Sequence, residues 1–574
     1  MAEAAIRYEE PGIDTILVQS SFLLLSNIVN SVLDNVFYCG LVGQVLLGMA
    51  WGTPGAKLLS HAFEESATQL GYLGLIAIVF EGGLATSVKS VQTNLFLSVC
   101  VAATGILLPM AFSFSLLAVA HATHLQAFAA GAALCSTSLG TTFSLLKTTD
   151  LTSSRLGTVL TSAAMLDDVV GLIMVQVIAN LGSGSDNFEA STLLRPIFVS
   201  LGFAVCLPAL CKFVVRPIFR HSRNSTLHLP SSLRKARGAF SSYFLLSTAL
   251  LVGLVSAASY AGTSALFAAY LAGAVLSWMD EEIFSANETQ TVHSDPQRSM
   301  SETVRPCQTA DGDSPSPECS AESSGQTCDA DAQSANDGGS PQIPPAKASR
   351  LPTPPPEPEN FVVESHVTEQ TPEATASERQ SMRMYNQYYG PVVERILKPL
   401  FFASVGFSIP ITKMFRGSIV WRGIVYTILM AVGKLCCGLW LVRFTTSDSG
   451  TNRSTHSSDR KRCEGKKQER TPSFPRPKSL YPASILGCAM VARGEIGFLI
   501  SAVAASNGIF TANGNGDQAS SDIYLVVTWA VLLCTIVGPL GLGFLAKRVK
   551  GLQMERAQSR QGGAEDPLGI WGVT

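Results

Sequence analysis

The chain returns about thirteen times to an apolar run close to the length that crosses a lipid bilayer, at roughly 14–34, 38–54, 70–88, 93–119, 125–147, 156–181, 193–216, 240–259, 262–279, 391–412, 419–443, 481–507 and 522–546. Each approaches the ~20 residues needed to span the hydrocarbon core as a helix. Lipid offers no hydrogen bonds, so a backbone crossing it must satisfy its own N–H and C=O groups, and uncharged runs of this length specify helices. Only 15% of the 574 residues are charged and 47% are hydrophobic, against roughly a quarter charged in soluble domains. The expected fold class is an all-α polytopic membrane protein of about thirteen transmembrane helices.

Charge placement tests that count, because cytoplasmic loops carry the Lys/Arg excess. Arg220, Arg223, Arg234, Lys235 and Arg237 follow the seventh run; Arg460, Lys461, Arg462, Lys466, Lys467 and Arg470 follow the eleventh; Lys547, Arg548 and Lys550 follow the last. All three clusters come after odd-numbered spans. They share one side if the count holds, which puts the C-terminus in the cytoplasm and the N-terminus outside. Lys413, Arg416 and Arg422, after the tenth run, fall on the wrong side of the scheme. The start, MAEAAIRYEEPG, is acidic and does not read as a cleaved signal peptide.

Composition breaks near residue 280. Residues 285–380 are rich in Ser, Pro and acids and nearly free of aromatics, too polar to bury enough surface to offset chain entropy, so a disordered cytoplasmic loop is expected. The domain reading is therefore a transport domain over 1–280 (spans 1–9), the loop 281–389, a second transport segment over 390–548 (spans 10–13) with a basic loop at 445–480, and a short cytoplasmic tail at 549–574. The basic loop reads as a positive-inside segment and not as a nucleic-acid surface. The cysteines are scattered through the spans without a repeated spacing and read as packing residues.

Asp167 and Asp168 lie midway along the sixth run, LGTVLTSAAMLDDVVGLIMVQVIANL. A carboxylate at that depth is costly unless it faces water, a counter-ion or a transported ion, so adjacent ones are a functional hypothesis by default. Lys434, in AVGKLCCG, lies too deep in the eleventh run to snorkel easily and should be neutral or paired with an acid. Either aspartate can serve. Neighbouring helical positions diverge by about 100°, so one Asp can face Lys434 while the other faces an aqueous path.

Two spans are interrupted. In GAALCSTSLGTTFSLLK (131–147) Ser and Thr around Gly140 replace the apolar middle, and in LGCAMVARGEIGFLISAVA (486–504) Arg493-Gly494-Glu495 does so. Broken helices expose backbone groups to an ion where the irregular backbone is shielded by protein. The Ser/Thr cluster alone is equally readable as small-residue helix packing. The Arg and Glu are harder to explain that way, since residues two apart point to different faces of a continuous helix.

These residues, with GLVGQVLLGMAWGTP (40–54), LGLIAIVFEGGL (73–84), AAMLDDVVGLI (163–173), TSALFAAYLAGAVLS (263–277), KPLFFASVGFSI (398–409) and VARGEIGFLI (491–500) in that order, resemble the monovalent cation/proton antiporter superfamily, in its sodium/hydrogen exchanger-like branch with an Asp-Asp motif. The insertions 285–380 and 445–480 lie outside the resemblance. It implies two inverted repeats, a core bundle that slides against a dimerising scaffold, and two discontinuous helices that cross beside the Asp-Asp helix. By motif position it makes Asp168 the main cation and proton carboxylate and Asp167 the partner of Lys434. It has Thr137 and Ser138 supply oxygens at the unwound segment, with Asp168 and Thr137 the nearest to the transported ion, and gives Arg493 and Glu495 structural or gating roles. Two departures are Gln44, where many relatives have Glu, and Ala85, where many have an acid; Glu81 stands earlier in that span, as a second proton site or, the favoured reading, a paired polar residue.

The function this implies is electrogenic exchange of a monovalent cation, Na+ or Li+ and also conceivably K+, for protons by alternating access, in a homodimer within the bilayer, without a cofactor or nucleic-acid partner. Oxygen ligands suit a hard cation, and no thiolate or imidazole cluster suggests a transition metal. Two rivals are a potassium efflux system, whose relatives usually carry Gln-Asp and a large nucleotide-binding domain, and a membrane ion or pH sensor signalling through the 285–380 loop. An enzyme is not expected: no HExxH occurs, and the two Asp are neighbours on one helix.

Overall fold

The computed structural model describes residues 10–87, 94–149, 151, 154–182, 190–217, 240–293, 379–442, 479–510, 519–558 and 567–572. The chain divides into one compact unit of 1–286 with 378–574 and a second of 287–377. Everything below concerns the first. Of the second, 287–293 end a helix and the remainder lies outside the described residues, as does nearly all of the basic loop at 445–480.

The first unit is helical throughout its described length. The helices are α1 (Ile13–Phe37), α2 (Gly40–Trp51), α3 (His61–Ala85), α4 (Leu95–Ser113, prolonged by turns to Val119), α5 (His124–Cys135), α6 (Leu139–Thr148), α7 (Arg155–Gly182), α8 (Ala190–Leu210, running into a π-turn at Cys211–Val215), α9 (Phe240–Ala261) and α10 (Ala265–His293). After the insertion come α11 (Gln380–Tyr388), a π-turn at Val393–Leu397, α12 (Lys398–Phe407), α13 (Gly417–Leu435, tightening to a 3-10 turn at Cys436–Leu441), α14 (Tyr481–Val491), α15 (Glu495–Ser506) and α16 (Ala519–Gln558). Among the described residues nine helical spans are long and apolar enough to cross a membrane. The other four expected runs fall on α2, the interrupted pair α5–α6, α10 and the π-turn at Val393–Leu397 with α12.

Two layers organise these helices. In one, α4, α5 and α7 pack against α13, α14, α15 and α16. In the other, α2 and α3 pack against α12, with α1 covering α2. The first layer repeats a pattern: a long helix, an interrupted one and a long one, α4, α5–α6, α7, then α13, α14–α15, α16. Local sequence starts several of these elements. Thr123 and Gln126 form a reciprocal capping box at the start of α5, Ser60 accepts from Phe63 N at the start of α3, and Pro482 opens α14, where its missing N–H costs nothing.

The chain re-enters the unit through polar contacts that sequence reading passed over. Arg379 donates to the carbonyls of Leu84 (3.1 Å) and Thr86 (3.0 Å) at the end of α3. Asp280, buried on α10, accepts from Ser381 N at 2.7 Å and from the Tyr243 hydroxyl at 3.0 Å. The expected loop 281–389 thus gives up both its ends to ordered helix, through His293 on one side and from Gln380 on the other.

Close crossings rely on glycine. A Cβ on Gly48 of α2 would strike the Ala403 carbonyl of α12, and one on Gly406 of α12 would strike the Val45 carbonyl of α2. Both contacts are backbone, which cannot swing aside. Gly406→Val is therefore expected to lower stability by about 1–3 kcal/mol or more, as overpacking does, measured as a drop in the melting temperature of the detergent-solubilised protein; an unchanged melting point would place slack at this crossing.

Candidate functional site

The two interrupted helices meet at their breaks. Helix α5 stops at Cys135 and α6 starts at Leu139; α14 stops at Val491 and α15 starts at Glu495. Each break is three residues, and the two are joined by a backbone bond from Ser138 N to Ala492 O at 2.9 Å. Gly494 makes that approach possible, since a Cβ there would sit 2.9 Å from the Ser138 hydroxyl. The first break lies slightly earlier than the Ser/Thr cluster suggests: Gly140 is already inside α6, and the unwound residues are Ser136, Thr137 and Ser138.

A helix end leaves carbonyls without intrahelical partners and carries a partial negative charge. Both buried cations answer that need. Lys434, wholly buried on α13, donates to Cys135 O, the last carbonyl of α5, and also to the Thr137 hydroxyl at 3.0 Å. Arg493, also wholly buried, donates to Ser136 O at 2.8 Å and to Met490 O, near the end of α14, at 3.3 Å. Glu495 sits in the first turn of α15, at the positive end.

Around Lys434 the site divides the two aspartates of α7. Asp167 is fully buried, and its Oδ2 takes both the Lys434 ammonium and the Thr137 hydroxyl, the latter at 2.7 Å. Asp168 points elsewhere. It retains slight exposure, its Oδ1 has no hydrogen-bond donor among the described residues, and its electrostatic neighbours are Glu495, Asp167 and Lys434. The hydroxyl of Thr137 is engaged by Asp167 and Lys434, not by Asp168; no hydrogen bond links Asp168 to Thr137 or Ser138 among the described residues.

Glu81, on α3, makes no hydrogen bond to Asp167, Asp168 or Lys434 among the described residues; its electrostatic neighbours are Glu394, Lys398 and Glu495, the Tyr385 hydroxyl is within reach, and Lys398 pairs with Glu394 at 2.9 Å. Gln44 is buried on α2 with no hydrogen-bond partner at its Oε1 among the described residues. The groups that sequence reading missed are the carbonyls of Cys135, Ser136, Met490 and Ala492. Their signal was present in the interruptions themselves, because a broken helix must expose its final carbonyls.

The buried pair makes a stability test. Lys434→Ala strands the Asp167 carboxylate and is expected to cost about 3–5 kcal/mol, the scale for removing one partner of a buried ion pair. Adding Asp167→Asn removes the stranded charge, so the double variant should melt above Lys434→Ala alone. Thermal melts of the three proteins check this; a double variant no more stable than the single one would mean that the two charges do not depend on each other.

The sequence profile described as "Sodium/hydrogen exchanger, transmembrane" matches residues 25–294 and 373–548. The chain is 30% identical over 167 residues to the high-affinity Na(+)/H(+) antiporter NhaS3 of Synechocystis sp., 29% of this chain and 36% of that protein. It is 26% identical to the Na(+)/H(+)-K(+) antiporter GerN of Bacillus cereus over 27% of this chain and 40% of that one. With a Na(+)/H(+) antiporter of Enterococcus hirae it shares 22% identity over 41% of this chain and 58% of that one. The matched stretches thus span less than two thirds of each of these relatives. In fold it is similar to the sodium proton antiporter MjNhaP1 from Methanocaldococcus jannaschii, with a TM-score of 0.52 and 11% identity, over 94% of this chain and 100% of that one. Its layers are those of the inverted-repeat antiporter fold, with α5–α6 and α14–α15 as the discontinuous helices. With the profile covering most of its length, the chain belongs to the sodium/hydrogen exchanger family of multi-pass membrane proteins.

Proposed function

We propose that the protein is a secondary active antiporter that exchanges Na+, Li+ or K+ for protons by alternating access. The observation that carries this reading is Asp168: a buried carboxylate whose Oδ1 no donor satisfies among the described residues, beside an ion pair, where two helices break. The names of the relatives, which refer to Na+, H+ and K+, support the same chemistry.

In this reading Asp168 holds either a proton or the cation. An ionised carboxylate in a low-dielectric site needs a compensating positive charge, and proton and cation compete for that place. The Asp167–Lys434 pair supplies the second exchangeable proton: when the cation draws on Asp167, Lys434 loses its partner and releases a proton. Two protons then move against one cation, and the cycle carries net charge. Arg493, held by two carbonyls, stays fixed as the support of the crossing, and Glu495 gates the approach to Asp168.

The remaining assignments follow the same reading. The layer of α4–α7 and α13–α16 moves against α1–α3 and α12, the N-terminus lies outside, and the C-terminus lies in the cytoplasm. Two copies associate through α1, whose Ile13, Leu17, Leu24 and Ile28 are exposed; a single-copy mass in lipid nanodiscs would overturn that assembly.

Proteoliposomes with an imposed pH gradient test the exchange. Na+, Li+ or K+, added singly, should dissipate the gradient in the wild type, and Asp168→Asn should abolish the response while its melting remains cooperative. Cation-dependent proton movement by Asp168→Asn would sink the site assignment. For the second proton, wild-type exchange should accelerate when the membrane potential favours the net charge moved. The double variant Asp167→Asn with Lys434→Ala, left with one exchangeable group, should ignore the potential; wild-type exchange equally indifferent to it would refute the two-proton cycle.

A further inference from the structure

A groove of about 360 Å³ opens between α8 and α10, at a place the exchange site does not use. Its walls come from positions that cannot close it. Pro208 on α8 lacks a backbone donor, the π-turn at Cys211–Val215 widens the helix just beyond, and Ala274 opposite is too small to fill the space. The two helices run parallel here. Leu207 and Pro208 face the level of Leu271 and Ala274, and Arg216 reaches Glu282 at 3.2 Å one end further on.

The groove is therefore apolar along its length and charged at one end. Lys212, Arg216, Trp278 and Glu282 line that end. Arg216 is paired with Glu282, whereas Lys212 has no acidic partner among the described residues, so the end carries one uncompensated positive charge. Trp and cationic side chains at one end of an apolar groove are the arrangement found at the headgroup level of a bilayer. The surrounding surface of α8 agrees: Leu201, Val205, Leu210 and Phe213 are all at least half exposed, as lipid-facing residues are.

We propose that this groove is a binding site for a membrane phospholipid with an anionic headgroup, one acyl chain lying along Pro208 and Ala274 and the phosphate on Lys212, with Arg216 and Trp278 beside it. A second copy of the protein fits less well, because the uncompensated cation would meet no counter-charge in an apolar helix. Helix α8 packs on the Asp-Asp helix α7, and α10 crosses α3 where Gly83 and Gly273 bring their backbones together. A lipid seated between α8 and α10 thus lies between the two layers of the molecule.

Purified full-length protein, stripped of lipid, would be titrated in detergent with phosphatidylcholine alone or with phosphatidylglycerol, reading both the melting temperature and the lipid retained in native mass spectra. The wild type should be stabilised by phosphatidylglycerol well beyond phosphatidylcholine. Lys212→Glu should bind phosphatidylglycerol at least about fivefold more weakly, the effect of losing one basic residue at an anionic headgroup. Lys212→Arg should bind as the wild type does. Ala274→Trp, which fills the groove, should lose retained lipid while still melting cooperatively. An equal response of the wild type to both lipids, or an undiminished phosphatidylglycerol response in Lys212→Glu, would overturn the proposal. So would Ala274→Trp turning a lipid-free dimer into a monomer, since the occupant would then be a second copy.

Discussion

One ammonium group, sealed from water, joins the parts of this molecule that the rest of the fold arranges. Lys434 comes from α13, the carbonyl it meets ends α5, the hydroxyl lies in the break, and the carboxylate belongs to α7. A buried cation is tolerated only when its donors are used and its charge is balanced. Three segments distant in sequence, the end of α5 with its break, α7 and α13, must therefore converge on one point. That requirement fixes the position of the break as firmly as the break fixes the lysine.

The second cation shows the same logic with a different outcome. Arg493 neutralises the carbonyls at Ser136 and Met490, but among the described residues its Nε and Nη2 have no hydrogen-bond partners, nor has the nearby Tyr426 hydroxyl. Its Nη1 alone serves both helix ends, donating to Ser136 O and to Met490 O. The crossing is thus held by charges of one sign placed at helix ends, with Glu495 at the opposite pole of α15.

Much of this was legible in the residues. Apolar length specified the helices because lipid leaves the backbone no alternative, and the two interruptions were visible as polar residues where apolar ones belong. Lys434 had to be neutral or paired with an acid, and the choice between Asp167 and Asp168 depended on family resemblance. Less legible were the contacts made by the main chain. Carbonyls have no letter in a sequence, so Cys135 and Ser136 looked like an apolar residue and a small one. Nor did the sequence indicate that the Thr137 hydroxyl bonds on the Asp167 side of α7, where the ammonium already stands. The polar re-entry at Arg379 and Ser381 was hidden by its place beside a long polar insertion, where composition suggested no ordered partner.

The division of the two aspartates has a further consequence for how an ion could be held. With Asp167 Oδ2 and Thr137 committed to Lys434, each aspartate keeps an Oδ1 with no hydrogen-bond partner among the described residues, and Asp168 is the less buried of the two. A single carboxylate supplies too few oxygens for an alkali cation, so the others must come from water or from backbone freed by the break. The main chain of Ser138 is already committed, its N–H to Ala492 O and its carbonyl to the Thr142 hydroxyl at 2.8 Å. The distance between the two breaks is held by the backbone bond from Ser138 N to Ala492 O at 2.9 Å.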